Sequence, residues 1–258
     1  MKILFAAYYI VAEKVIAQLL KNGQAKADIR VLTYDVESNK ELLNFLKETE
    51  IDCFFGRTDD PDVIRLVRQW SPDVLFSLYY RDRISDDILS IPSKGAVNLH
   101  PSLLPQYKGA FSAPWVIFNG EKQTGITYHY MTSEIDAGDI ILQKKIDISE
   151  NETAYSLYYR LIDEGVENFS EVYTMIRQGR VSAQKQQGES SYYRRGVPYG
   201  GFIDRDWPED KIKRFIRAMY FPPYRGAVLV DESGIEHEFL SVEDYEKYIN
   251  KNSDKRSA

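Results

Sequence analysis

Short apolar, β-branched segments alternate with amphipathic helical ones through the first two thirds of the chain, and this alternation constrains its fold more than any other feature. Ile3–Ala7, Ile29–Thr33, Asp52–Phe55, Asp73–Tyr80 and Ala96–His100 read as strands. Between them lie helical segments: Glu13–Leu20, Lys40–Lys47, a helix opened by Asp60-Pro61-Asp62 and running through Trp70, and Ser85–Leu89. Pro61 sits near the first turn of the third helix, with acids at the positive end of its dipole. Pro114–Phe118 begins a further helix, and Thr124–Met131 and Ile140–Ile148 alternate as half-exposed edge strands do. Thr153–Gln178 repeats apolar residues at helical spacing, among them Leu157, Leu161, Phe169 and Val172. The class expected is α/β: a doubly wound, mostly parallel sheet forming a domain over residues 1–183. A polar stretch without period, Gln184–Ser191, precedes a small α+β or barrel-like subdomain over 190–250. That subdomain is expected to carry a helix at Glu209–Met219 and strands at Ala227–Val230 and His237–Leu240, and 251–258 reads as a disordered tail.

Charge and cysteine usage exclude several functions. The formal net charge is −6, a poor basis for gripping nucleic acid phosphates. A single cysteine, Cys53, rules out an intrachain disulfide and a cysteine-built zinc site, and its apolar setting reads as a buried structural thiol. No apolar run is long enough to span a bilayer, and Met1–Ala7 reads as a first strand rather than a leader. A cytoplasmic protein with no metal, nucleic acid or membrane partner is expected. Ala6-Ala7-Tyr8-Tyr9-Ile10 follows the first strand in place of a glycine-rich turn, which argues against a dinucleotide at that position.

The chemistry concentrates in Asn98-Leu99-His100-Pro101-Ser102-Leu103-Leu104-Pro105 and in Asp136-Ala137-Gly138-Asp139. On a strand, residues two apart share a face, so Asn98 and His100 point the same way. Pro101 and Pro105 cannot continue a ladder, which turns the chain into a loop at the carboxyl end of a strand, where open α/β sheets place ligands. An imidazole titrates near neutrality and accepts a proton from an amine. A carboxamide N–H donates to a developing oxyanion. Asp136 is the acid expected to orient the imidazole, and Asp139 reads locally as a turn residue. Tyr79 and Tyr80 either pack or form a wall for a flat heterocycle, with Arg81 near an anion. Lys108 either meets a phosphate or is merely solvated, and His129 and His237 read as structural.

Together with Gln106-Tyr107-Lys108-Gly109, Asn119-Gly120-Glu121 and Thr124-Gly125-Ile126-Thr127, these motifs resemble the 10-formyltetrahydrofolate-dependent formyltransferases. The resemblance is dense over residues 73–148. Within that family the chain is most similar to the sugar nucleotide N-formyltransferases, including the formyltransferase half of the bifunctional enzyme that formylates UDP-aminoarabinose. Ser71–Arg81, Arg194-Arg195-Gly196-Val197-Pro198, Ile203-Asp204 and Trp207 carry that closer likeness. Gly200-Gly201 departs from it where an acid-Gly pair is expected, and Arg205-Asp206 intervene before Trp207.

The resemblance implies a Rossmann-like fold, Asn98, His100 and Asp136 as the catalytic set, and 10-formyltetrahydrofolate as co-substrate. It places Tyr79, Tyr80 and Asp139 beside the folate. It assigns Arg81, Lys108, Arg194, Arg195 and Tyr224 to a nucleotide-linked amino (dideoxy) sugar or, for the last three, to a partner subunit. The expected role is N-formylation of such a sugar for bacterial surface glycan biosynthesis by a homodimer. Other readings remain open at this level: glycinamide ribonucleotide or methionyl-tRNA as acceptor, or a folate-binding homologue without activity.

Overall fold

Burial on both faces explains the centre of the architecture. In the computed structural model, which describes residues 1–256, seven strands form one sheet in the order β3-β2-β1-β4-β5-β7-β8. They are β1 (Ile3–Ala7), β2 (Ile29–Thr33), β3 (Cys53–Phe55), β4 (Val74–Leu78), β5 (Ala96–His100), β7 (Gln123–Tyr130) and β8 (Ile140–Asp147). The first five run parallel, and β7 pairs antiparallel with β5. Every residue of β1 and β4 is buried, as a continuous apolar run in a helix-covered parallel sheet should be.

The helices start where local chemistry caps them. α1 is Ile10–Lys21, α2 is Lys40–Thr49 and α3 is Pro61–Trp70. The Asp60 side chain accepts from Asp62 N at 2.8 Å, and Pro61 fills the first turn of α3. Ser85 caps α4 (Asp86–Leu89) in the same way. Helices α5 (Ser112–Asn119) and α6 (Ala154–Gln178) follow. In the second half of α6, Phe169 packs on Phe5 and Phe76 at centroid distances of 6.0 and 4.9 Å.

The chain divides into two compact units, though not by one linear cut. The first gathers Met1–Pro105, Ile126–Lys144 and Ile162–Glu189. The second gathers Gln106–Gly125 and Lys145–Leu161 with the chain from Ser190 on. A boundary between 1–183 and 190–250 therefore misassigns two internal segments. Their apolar residues are buried with aromatic side chains distant in sequence, a connection that local composition does not reveal. Within the second unit, β6 (Lys108–Gly109) lies parallel to β9 (Tyr192–Tyr193), and α5 packs on α7 (Glu209–Met219). Phe118 and Phe215 meet at 5.5 Å. β10 (Ala227–Val230) and β11 (Glu236–Phe239) form an antiparallel pair, and α8 (Val242–Arg256) follows.

Two further expectations change. β7 is an interior strand with six consecutive buried residues, and only β8 lies at that edge. Its polar members are buried because they are hydrogen-bonded: Thr127 Oγ1 donates to the Ser102 carbonyl at 2.6 Å and His129 Nδ1 to that of Tyr130 at 2.8 Å. The expected disordered tail is helical through Arg256, with Ser241 Oγ accepting from Asp244 N at its start, and 257–258 lie outside the described residues.

Candidate active site

β5 ends in Asn98-Leu99-His100, and its alternation sends Asn98 and His100 to one face while Leu99 is buried on the other. The loop after β7 folds back over that face. Met131 N donates to the Ala96 carbonyl at 2.8 Å, and Tyr130 N donates to the Asp139 carbonyl at 2.9 Å. This turn delivers Asp136 to the two β5 side chains. Asp136 Oδ2 stands 3.5 Å from His100 Nδ1, and Asn98 Nδ2 donates to Asp136 Oδ1 at 3.4 Å. The Asp136 side chain is only 9% exposed, so its charge depends on these partners. Such separations are normal without substrate and tighten when the reacting groups are in place.

A fourth side chain completes the cluster. His129, directly opposite Asn98 across the β5–β7 pair, places Nε2 3.2 Å from Asn98 Nδ2 and 3.5 Å from Asp136 Oδ1. Its Nδ1 donates to the Tyr130 carbonyl, and that tautomer presents Nε2 as an acceptor to the Asn98 amide. From the sequence alone His129 reads as structural. The cross-strand register opposite Asn98 marks it out, but that register becomes visible only once β7 is known to pair with β5.

The remaining sequence-derived residues are distributed over both units. Tyr79 follows β4 with φ 56°, a strained conformation for a tyrosine, and Leu78 is paired with Leu99, which brings Tyr79 beside the end of β5. Tyr80 stacks on Tyr34 at 4.9 Å, and burial raises both hydroxyls, that of Tyr34 well above the usual tyrosine range. Arg81 lies exposed over the Tyr8 ring at 5.1 Å. Asp139 contributes its carbonyl to the turn, as described. Lys108, Arg194, Arg195 and Tyr224 belong to the second unit. There Lys108 N donates to the Ser191 carbonyl, Arg194 and Arg195 are exposed, and Tyr224 is 71% exposed beside Phe221. Gly200 and Gly201 both have positive φ, and a Cβ at Gly201 would stand 3.4 Å from Met219, so this glycine pair meets a backbone demand of the second unit.

A carboxamide, two imidazoles and a desolvated carboxylate form a set for moving protons at a carbonyl centre. Known proteins carry the same arrangement of sequence: residues 11–173 match the formyl transferase family. The chain belongs to that family. As a formyl transferase it is 39% identical over 229 residues to the GDP-perosamine N-formyltransferase of Brucella melitensis biotype 1, covering 88% of each chain. It is 33% identical over 228 residues to the bifunctional polymyxin resistance protein ArnA of Wigglesworthia glossinidia brevipalpis, covering 86% of this chain and 35% of that longer one. Among solved structures, an N-formyltransferase from Helicobacter canadensis, in complex with folinic acid and dTDP-3-aminofucose, superposes with a TM-score of 0.75 at 25% identity. That superposition covers 88% of this formyl transferase and 83% of the other chain.

Proposed function

We propose that this formyl transferase moves the formyl group of 10-formyltetrahydrofolate to the amine of a nucleotide-linked amino sugar, with Asn98, His100 and Asp136 as its catalytic residues. The observation that carries the reading is the convergence of Asn98 Nδ2 and His100 Nδ1 on one buried carboxylate. The acceptor class rests on the relatives: the Brucella proteins are named for GDP-perosamine, and the Helicobacter structure holds dTDP-3-aminofucose with a folate.

The donor set suits a formamide: an N–H for its oxygen and a base for the amine that attacks its carbon. Bound 10-formyltetrahydrofolate supplies the formyl carbon and a nitrogen leaving group. With Nδ1–H directed at Asp136, His100 keeps Nε2 as the base that takes the proton of the attacking amine. Asn98, whose two Nδ2–H groups face His129 Nε2 and Asp136 Oδ1, turns the one at Asp136 to the formyl oxygen as negative charge develops there. Asp136 stabilises the imidazolium, which then gives its proton to the departing nitrogen. His129 holds the carboxamide with its nitrogen end towards Asp136. Tyr79, Tyr80 and Asp139 are our candidates beside the folate, and Arg81, Lys108, Arg194, Arg195 and Tyr224 are those for the nucleotide. We extend the reading to a cytoplasmic homodimer serving bacterial surface glycan synthesis.

Mass spectrometry tests it. Incubation with 10-formyltetrahydrofolate and a panel of nucleotide amino sugars, GDP-perosamine first, should add one formyl group to a panel member. Formylated glycinamide ribonucleotide or methionyl-tRNA instead would replace the acceptor. Folate binding without product across the panel would overturn the catalytic reading.

A further inference from the structure

We propose that Gln186, on the polar stretch after α6, is a positioning residue for Asp136. The proposal rests on the reading of Asp136 as catalytic.

The stretch is tied to the sheet. Ile140 N donates to the Gln184 carbonyl at 2.7 Å and Gln184 N to the Ile140 carbonyl at 2.8 Å, an antiparallel bridge at the start of β8. Two residues on, Gln186 Nε2 donates to the carbonyl of Asp136 at 2.7 Å and to that of Gly138 at 2.9 Å. One amide nitrogen thus clasps two carbonyls of the turn that presents the carboxylate. The amide must face this way round, because its oxygen would oppose both carbonyls.

That turn needs holding. Asp136 has φ 50°, in the left-handed region that a residue with a Cβ adopts only when its surroundings impose it. A Cβ at position 138 would stand 1.8 Å from the Tyr130 carbonyl, so Gly138 seats the turn directly on the end of β7. Backbone contacts secure the turn on the β7 side, and the Gln186 side chain secures it from the polar stretch after α6. The Oε1 of Gln186 is buried without a hydrogen-bond partner among the described residues. A buried acceptor left unpaired is costly, and a useful task for the other end of the same amide accounts for its presence.

The test is a double-mutant cycle on kcat, with Gln186→Leu and Asp136→Asn alone and together. Gln186→Leu should lower kcat on the order of 10²-fold, the scale of a displacement of about 1 Å at a catalytic group, and should leave the fold intact by circular dichroism. In the Asp136→Asn background the same change should cost almost nothing more, because a residue acting through Asp136 has nothing left to position. Gln186→Lys, which keeps N–H donors, should recover much of the rate, and Gln187→Leu at the exposed neighbour should match wild type. Equal losses in both backgrounds, or wild-type kcat in Gln186→Leu, would overturn the proposal. Should Gln186→Leu not fold, Gln186→Glu, similar in size but without the two donors, carries the same expectations. Wild-type activity in Asp136→Asn would instead overturn the reading of the site, so the two failures are distinguishable.

Discussion

The Nδ1 atom of His100 faces Asp136 at 3.5 Å, whereas that of His129 faces the Tyr130 carbonyl at 2.8 Å. The first arrangement suits an imidazole that gains and loses a proton, and the second fixes an acceptor. His100→Ala should therefore lower kcat on the order of 10²–10⁴-fold in a formyl-transfer assay, the range for loss of a general acid–base. His129→Phe removes the acceptor for Asn98 and the donor to the Tyr130 carbonyl but leaves His100 in place, so a smaller loss in kcat is expected, with little change in folate affinity by fluorescence titration. Cys53 gives a prediction unconnected with catalysis. Burial, and secondly Asp52, push its thiol up to about 11, so the thiolate is scarce at pH 8. Alkylation of the native protein should be slow at pH 8 and accelerate as pH rises towards that value, whereas denatured protein should react promptly. The sequence shows Asn98 and His100 because they share one strand face before a Pro/Ser/Pro loop, and it shows Asp136, whose motif alone reads as a turn, only through its partnership with them. His129 and Gln186 stay hidden because their roles arise from contacts across strands that no local pattern records.

At the scale of elements, the site depends on how closely α6 approaches β5. Gly165 allows that approach: a Cβ there would meet Leu99 Cδ2 at 2.6 Å and its Cδ1 at 3.2 Å, and Leu99 is buried between Asn98 and His100, the two β5 positions we propose as catalytic. Tyr128 of β7 also donates its hydroxyl to the Gly165 carbonyl at 2.7 Å. Gly165→Ala gains about 0.5–1 kcal/mol in helix preference and incurs about 1–3 kcal/mol of overpacking, so net destabilisation is expected. Urea denaturation should show it as a lower midpoint, and kcat should fall because Leu99 carries its neighbours with it. Most strands and helices were legible from period and caps: β1, β2, β5, α7 and β10 match their expected bounds. The environment of β7 was not. Alternation of Thr, Tyr and His looks half-exposed, and only the partners of Thr127 and His129 show that these polar groups are satisfied inside.

For the whole molecule, the linear division expected from composition fails because one compact unit is drawn from several stretches of chain. Phe118, from the segment between β5 and β7, packs on Trp207 at 5.2 Å and Phe215 at 5.5 Å in the second unit. A chain ending at Glu189 should therefore expose the Phe118 face and aggregate, visible as early elution in size-exclusion chromatography, rather than remain a trimmed, soluble enzyme. The same threading bears on wear. The segment Gln106–Gly125 is the covalent link between the strand bearing Asn98 and His100 and the strand bearing His129. A protease nick there turns one molecule into two fragments whose pairing obeys mass action, and the nicked enzyme would lose its activity on dilution and regain it on concentration.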